Sequence, residues 1–297
     1  MTYSIALIGA GAMGGAIGTR FLEMGHQLTV FDLDAEKVGL LTAKGAEAAK
    51  SAAEAASKSD FTVFSLNSSA IVRLAAFGDK GAASGARQGA IFIDMSSIEP
   101  EATRALAAEA EQLGIGWVDA PLSGGAPKAL IGQLTLMVGG EEAHVDQAFK
   151  CLKDVASNYT HMGSSGAGQT TKIINQVLCG LGFLAVAEAT QLALDAGVNA
   201  AKIPQALSGG RADSALLQEY MPRFASKDYR RTGRIDNMVK DLIFAQNLSA
   251  ETGTTMPMTA LCLEIHKMLT AAGLGGEDEA AIMEYFKGPR PENINQD

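Results

Sequence analysis

The chain has 297 residues, which at roughly 150 residues per domain predicts about two domains, each able to bury a core without disulfides or metals. With 47% hydrophobic and 19% charged residues, it is too apolar for a disordered chain. The 24 Lys and Arg against 33 Asp and Glu leave a net charge of −9, which repels phosphate backbones and argues against nucleic acid as a partner.

Short β-branched runs come first. Ser4–Ile8, Leu28–Phe31, Phe61–Leu66, Ile91–Asp94, Gly116–Asp119 and Leu134–Val138 are rich in Val, Ile and Phe and bounded by Gly, Asp or Ser, the pattern of buried strands. Alanine-rich helical stretches separate them, such as Glu101–Leu113 with Pro100 before it and Gly114 after it. Alternating strands and helices predict a doubly wound, mostly parallel α/β sheet. Near Gly163 the character changes. Ile173, Val177, Leu181 and Leu184 recur at helical spacing, and Ala200–Leu207, Ala215–Met221, Asn237–Ala250 and Met258–Ala272 all read as helices. The expected division is residues 1–165, an α/β domain, and residues 166–297, an all-α domain opened by a long helix. From Gly288-Pro289-Arg290-Pro291 onward the chain is polar and expected to fray.

Cys151, Cys179 and Cys262 are odd in number and far apart, the pattern of reduced thiols in a cytoplasm. No uninterrupted 18-residue apolar run and no charged leader region is visible, so neither a membrane span nor secretion is expected. His26, His144, His161 and His266 are scattered without metal-ligand spacing, and no metal is expected.

Gly9-Ala10-Gly11-Ala12-Met13-Gly14 fits G-x-G-x-x-G. The first glycine permits a tight turn, the second lets the backbone approach a pyrophosphate, and the third lets helix and strand pack closely. The motif follows a strand, opens a helix and precedes a second strand ending in Asp32, where a carboxylate can hold the ribose hydroxyls of a dinucleotide. A carboxylate accepts from a free 2′-OH and repels a 2′-phosphate, and no arginine adjoins Asp32, so NAD is favoured over NADP. The plainer alternative is an aspartate that caps the next helix.

Two further segments carry polar groups suited to chemistry. Ser123-Gly124-Gly125 follows a strand, and a turn with exposed N–H groups can grip a carboxylate. Gly166–Gln176 opens the long helix, on which Lys172, Asn175, Gln176 and Cys179 share one face. Lys172 near a helix N-terminus opposes the dipole. It is either a solvated lysine or one whose pKa is lowered by dipole and burial, able to exchange a proton with a hydroxyl.

Gly9–Gly14 with Asp32, the Asp119–Gly125 turn, Gly166–Gln176 and Lys240-Asp241-Leu242 together resemble the 3-hydroxyisobutyrate dehydrogenase family of β-hydroxy acid dehydrogenases. The similarity runs in order over essentially the whole chain. It implies a Rossmann domain, a helical second domain and a cleft between them. It also implies that Lys172 is the catalytic acid/base, that Asn175 is its hydrogen-bonding partner, and that Ser123, Gly124 and Gly125 bind the substrate carboxylate. For the cofactor, the resemblance implies Gly9, Gly11, Ala12, Met13, Gly14 and Asp32. Leu66, Asn67, Ile71, Ser96, Ser97 and Lys240 are implied as further lining. Gln176, where many relatives carry asparagine, and Gly124–Ala129 resemble the tartronate semialdehyde reductase branch, while Gly209–Ser214 fits neither branch.

The implied reaction is reversible hydride transfer between nicotinamide and a small 3-hydroxy acid or its semialdehyde. An imine reductase shares the architecture but usually has another residue at the lysine position. A 6-phosphogluconate dehydrogenase is longer, and a non-catalytic dinucleotide sensor would not need Lys172 and Asn175. Long apolar stripes in the helical half lead us to expect a homodimer or homotetramer.

Overall fold

In the computed structural model, residues 1–286 are described; the polar end expected to fray lies outside them. Two compact units divide the chain, Met1–Lys172 and Ile173 onward.

The first unit is built on nine strands: β1 (Ser4–Ile8), β2 (Gln27–Phe31), β3 (Glu47–Ala48), β4 (Phe61–Phe64), β5 (Ile91–Asp94), β6 (Gly116–Asp119), β7 (Leu122–Ser123), β8 (Leu134–Gly140) and β9 (Ala156–Gly163). Their order is β3-β2-β1-β4-β5-β6-β8-β7, with β9 pairing β8. The first six strands in this order run parallel, so the loops after β1, β2, β4, β5 and β6 all leave from one edge of the sheet. Chain order reverses between β1 and β4, the point where such sheets bind ligands. β6 and β7 both run antiparallel to β8, and Pro121 lies in the gap between them, where it offers no N–H to the ladder.

Helices α1 (Ala12–Glu23), α2 (Ala35–Thr42), α3 (Ala52–Ser57), α4 (Ser69–Phe77), α5 (Ala82–Gly85), α6 (Pro100–Gln112), α7 (Gly125–Leu130) and α8 (Glu142–Leu152) accompany the strands. Side-chain alternation sorts the sheet into two cores. Ile5 and Leu7 of β1 join Ile17 and Phe21 of α1 in one. Ala6 and Ile8 join the α3 alanines and Trp117 in the other. Burial on both faces explains why these strands read as continuous apolar runs.

α9 (Ala167–Asp195) runs across the division between the units. By length and composition alone it could cross a membrane, with a mean hydropathy of 1.7 over 18 residues, of which 33% are buried in the protein. The run is apolar only on average: Asn175, Gln176, Glu188 and Gln191 interrupt the helix, so no uninterrupted apolar stretch of 18 residues is present in it. In the second unit, Phe183, Val186 and Ala187 of α9 enter a core with α11 (Ala215–Ser226), α12 (Ile235–Thr252) and α13 (Pro257–Leu269). The short α10 (Ile203–Leu207) precedes α11, and α14 (Met283–Phe286) ends the described chain.

His266 of α13 is fully buried in this unit, with Nδ1 at 2.8 Å from the Cys262 carbonyl and Nε2 at 3.2 Å from Glu279 Oε2. Burial disfavours the imidazolium, but hydrogen bonds to Cys262 and Glu279 outweigh it and push the pKa up to about 10. In the unfolded chain the group titrates near 6.5. Its stabilisation is therefore complete below about pH 6.5 and is lost as pH rises through about 10. His266→Gln should be less stable than the parent near pH 6, and urea unfolding should show that margin shrinking toward pH 10.

Candidate active site

The turn from β1 into α1 shows what each glycine does. A Cβ on Gly9 would lie 2.3 Å from the Ser65 carbonyl oxygen, and one on Gly14 would lie 2.0 Å from the Gly9 carbonyl oxygen. Both positions are closed to any side chain by the protein itself. Nothing lies within 4 Å of the corresponding point on Gly11. That open side, at a helix start with no side-chain cap, leaves the N–H groups of Ala12, Met13 and Gly14 for a ligand. An anionic pyrophosphate fits there.

Asp32 is not a helix cap. Its Oδ2 accepts from Ala10 N–H at 2.7 Å and its Oδ1 from Asp34 N–H at 2.9 Å, whereas Asp34 caps α2 by accepting from Glu36 N–H at 3.0 Å. The carboxylate thus ties the glycine loop to the end of β2 and stays partly exposed. Leu66 and Asn67 follow β4, and the Leu66 N–H donates to Ser96 Oγ at 3.0 Å. Ser96 is buried, so its hydroxyl braces two loops, while Ser97 is half-buried and Ile71, in the first turn of α4, is exposed. Gly124 and Gly125 both adopt positive φ, 117° and 68°, which only glycine takes up easily in succession. They turn the chain sharply after Ser123.

Lys172 lies in the second turn of α9 and is half-buried. One turn earlier, Gln169 donates from Nε2 to the Ser96 carbonyl at 2.8 Å and accepts from Ile98 N–H at 3.2 Å. The glycine loop, Asp32, Leu66, Ser96, the Ser123 turn and the start of α9 therefore belong to one unit and one region of its sheet. In the second unit, Asn175 Nδ2 donates to Gln176 Oε1 at 2.9 Å, and Gln176 Nε2 to Asp241 Oδ2 at 2.6 Å. Lys240 Nζ lies 3.4 Å from Asp241 Oδ1. From sequence, Asp241 figures only within Lys240-Asp241-Leu242, with no role of its own.

From sequence, Asp94 reads only as a strand end, and Asp119 only as a strand end opening the Asp119–Gly125 turn, with no role of its own. They face each other in register on β5 and β6, and both are fully buried. Burial pushes Asp94 up to about 7, against the pull of the Ser96 hydroxyl and N–H. Burial raises Asp119 as well, opposed by N–H bonds from Gly166 and Gln169. Asp94 Oδ2 has no hydrogen-bond partner among the described residues, so the charge of the pair belongs on Asp119. Among these residues no three His, Cys, Asp or Glu side chains gather to hold a metal ion.

Comparison with known proteins gives two family matches. The first, described as the NAD binding domain of 6-phosphogluconate dehydrogenase, covers residues 4–163. The second, described as NAD-binding of NADP-dependent 3-hydroxyisobutyrate dehydrogenase, covers residues 166–286. The chain is 33% identical to 2-(hydroxymethyl)glutarate dehydrogenase of Eubacterium barkeri, over 95% of this chain and 94% of that one. It is 31% identical to 2-hydroxy-3-oxopropionate reductase of Escherichia coli, over 95% and 97% respectively. Among solved structures, Mycobacterium tuberculosis 3-hydroxyisobutyrate dehydrogenase with L-serine matches at a TM-score of 0.88 and 28% identity, covering 97% of this chain and 100% of that one.

Proposed function

The chain belongs to the 3-hydroxyisobutyrate dehydrogenase family of NAD(P)-dependent hydroxy acid dehydrogenases, and we propose that it interconverts a small 3-hydroxy acid and its semialdehyde with Lys172 as general acid/base. One observation carries this reading. Gln169 fastens the first turn of α9 to the loop after β5, which brings the Lys172 helix to the sheet edge that bears the dinucleotide loop.

Bound NAD supplies or takes up the hydride at its nicotinamide ring. The protein's part is binding, orientation and proton movement. In oxidation Lys172 accepts the hydroxyl proton; in reduction its ammonium polarises the carbonyl and returns that proton. The N–H groups of the Ser123–Gly125 turn hold the substrate carboxylate and so fix which carbon reacts. Asn175, one turn further along the helix, offers its amide to the same substrate.

Asp32 supports NAD over NADP. Because it also tethers Ala10, its loss should weaken both cofactors somewhat, and the ratio isolates the ribose contact. A hydrogen bond to a charged group contributes about 1.5–3 kcal/mol. Asp32→Ala is therefore expected to reduce the kcat/KM preference for NAD over NADP by at least about tenfold. Equal losses with both cofactors would remove the argument for NAD.

Reduction or oxidation followed at 340 nm tests the whole reading, with 3-hydroxyisobutyrate, 2-(hydroxymethyl)glutarate, glycerate, threonate, serine and tartronate semialdehyde, each with NAD and NADP. Turnover of one or more is expected. NAD binding without turnover of any would point instead to a dinucleotide sensor. Exposed Ile174, Leu178 and Leu192 on α9 and Met258, Leu261 and Met268 on α13 further favour self-association, which sedimentation velocity measures directly.

A further inference from the structure

The Gly166-Ala167-Gly168-Gln169 segment has a physical explanation that involves neither cofactor nor substrate. Asp119, at the end of β6, accepts from Gly166 N–H on Oδ1 at 2.9 Å and from Gln169 N–H on Oδ2 at 3.0 Å. The approach is so close that a Cβ on Gly168 would lie 2.7 Å from Asp119 Oδ2 and 2.5 Å from the Met137 carbonyl oxygen. From the other side, a Cβ on Gly139 of β8 would lie 2.7 Å from both carboxylate oxygens and 2.8 Å from Gly168 N. Gln169, 1% exposed, completes the fastening through Ser96 and Ile98. The first turn of α9 is thus bolted to β6, to β8 and to the loop after β5 before the chain reaches Lys172.

We propose that Asp119 and Gln169 are positioning residues for Lys172: together they fix its helix, and the Asp119 carboxylate alone sets the charge at the helix start. The proposal rests on the Lys172 reading above. The positive end of a helix dipole disfavours an ammonium within the first turns, and a carboxylate bonded to the leading N–H groups offsets it. Other charged or titratable groups at this junction are Asp94 on β5 opposite Asp119 and Arg104 of α6. Arg104 Nη1 reaches 3.3 Å from where a Gly166 Cβ would stand. His161 of β9 bonds the Gly140 and Gly163 carbonyls. Asp94 accepts from Ser96 N–H on Oδ1 alone, and its Oδ2 has no partner among the described residues. Neither oxygen bonds the start of α9, so Asp94 cannot replace Asp119, which accepts from both Gly166 and Gln169.

Two substitutions separate place from charge. Asp119→Asn removes the carboxylate and leaves the dipole unopposed. It should shift the acid limb of the kcat/KM pH profile for oxidation down by about half to one pH unit, with kcat falling about tenfold or more. Gln169→Met keeps the carboxylate and removes the bonds to Ser96 and Ile98. It should lower kcat by a similar factor while the limb stays in place. NAD affinity, by fluorescence titration, should stay within about twofold in both.

An unmoved limb in Asp119→Asn overturns the electrostatic half, and a kcat within about twofold in Gln169→Met overturns the positional half. If Asp119→Asn does not fold, Asp119→Glu keeps the charge but not the fit, and should lose turnover without moving the limb; wild-type turnover there overturns the proposal. A fully active Lys172→Ala sinks the reading beneath it. An inactive Lys172→Ala combined with wild-type behaviour of both other variants sinks this inference alone.

Discussion

Lys172→Ala is expected to lower kcat by at least about a hundredfold, the lower end of what a positioned general acid or base contributes, while NAD affinity stays within about twofold. The two effects separate because the dinucleotide loop depends on other atoms. Gly9 and Gly14 are held by backbone contacts with Ser65 and with each other, and Asp32 is held by Ala10 and Asp34. None of these involves the lysine. Alanine suits the helix, so α9 should persist. Lys172→Arg sharpens the result. Arginine keeps the positive charge but cannot release a proton in any accessible pH range. If the lysine only attracted the substrate carboxylate, arginine would restore much of the activity. If it moves a proton, arginine should be nearly as poor as alanine. Steady-state kinetics in both directions, with NAD titrated by fluorescence, decide between these, and Lys172→Ala turnover within a few-fold of wild type would remove the assignment.

How much of this was legible depends on what kind of signal each residue sends. The glycine motif was readable because backbone geometry restricts residue choice: at Gly9 and Gly14 any side chain collides with a carbonyl. Buried strands announced themselves by composition, and Ser4–Ile8, Ile91–Asp94 and Gly116–Asp119 stand where sequence put them. β9 did not. Its sequence, ASNYTHMG, is polar, and five of its eight positions are exposed and none buried on the edge of the sheet, so it makes no apolar run to detect. β7 is two residues long and follows a proline, too short for any periodicity. The sequence pattern ends this helix at Met221, yet α11 continues through Pro222 to Ser226, because packing of Phe224 into the helical core offsets the hydrogen bond the proline removes. Asp94 and Asp119 were invisible as a pair. Nothing in spacing says that two strand-end acids 25 positions apart meet in register; only the parallel order of β5 and β6 does. Gln169 was hidden likewise, since its partners Ser96 and Ile98 lie some seventy residues away.

Asp278→Ala should be the most damaging single change to stability. This carboxylate is fully buried and has no water to fall back on. Oδ1 accepts from Arg223 Nη2 and Ala280 N–H, each at 2.9 Å. Oδ2 accepts from Thr232 N–H at 2.5 Å, Thr232 Oγ1 at 3.0 Å and Gly233 N–H at 3.1 Å. Arg223 lies over the Tyr220 ring at 4.7 Å, so alanine at 278 leaves a largely buried guanidinium with only the 3.9 Å ion pair to Asp228 and strips three backbone donors. Breaking one side of such a pair costs about 3–5 kcal/mol. Asp278→Asn retains the volume and one acceptor and should fall between alanine and wild type. The damage should also be local. Trp117, the single tryptophan, is buried in the sheet of the first unit, whereas the Asp278 network lies wholly in the second. In urea, far-ultraviolet circular dichroism should report an early helical transition in Asp278→Ala that tryptophan fluorescence follows only later. Coincident transitions shifted by the full amount would mean that the two units unfold together. No shift by either probe would mean that Asp228 alone holds Arg223 and that the five lost hydrogen bonds are remade elsewhere, which would overturn the prediction.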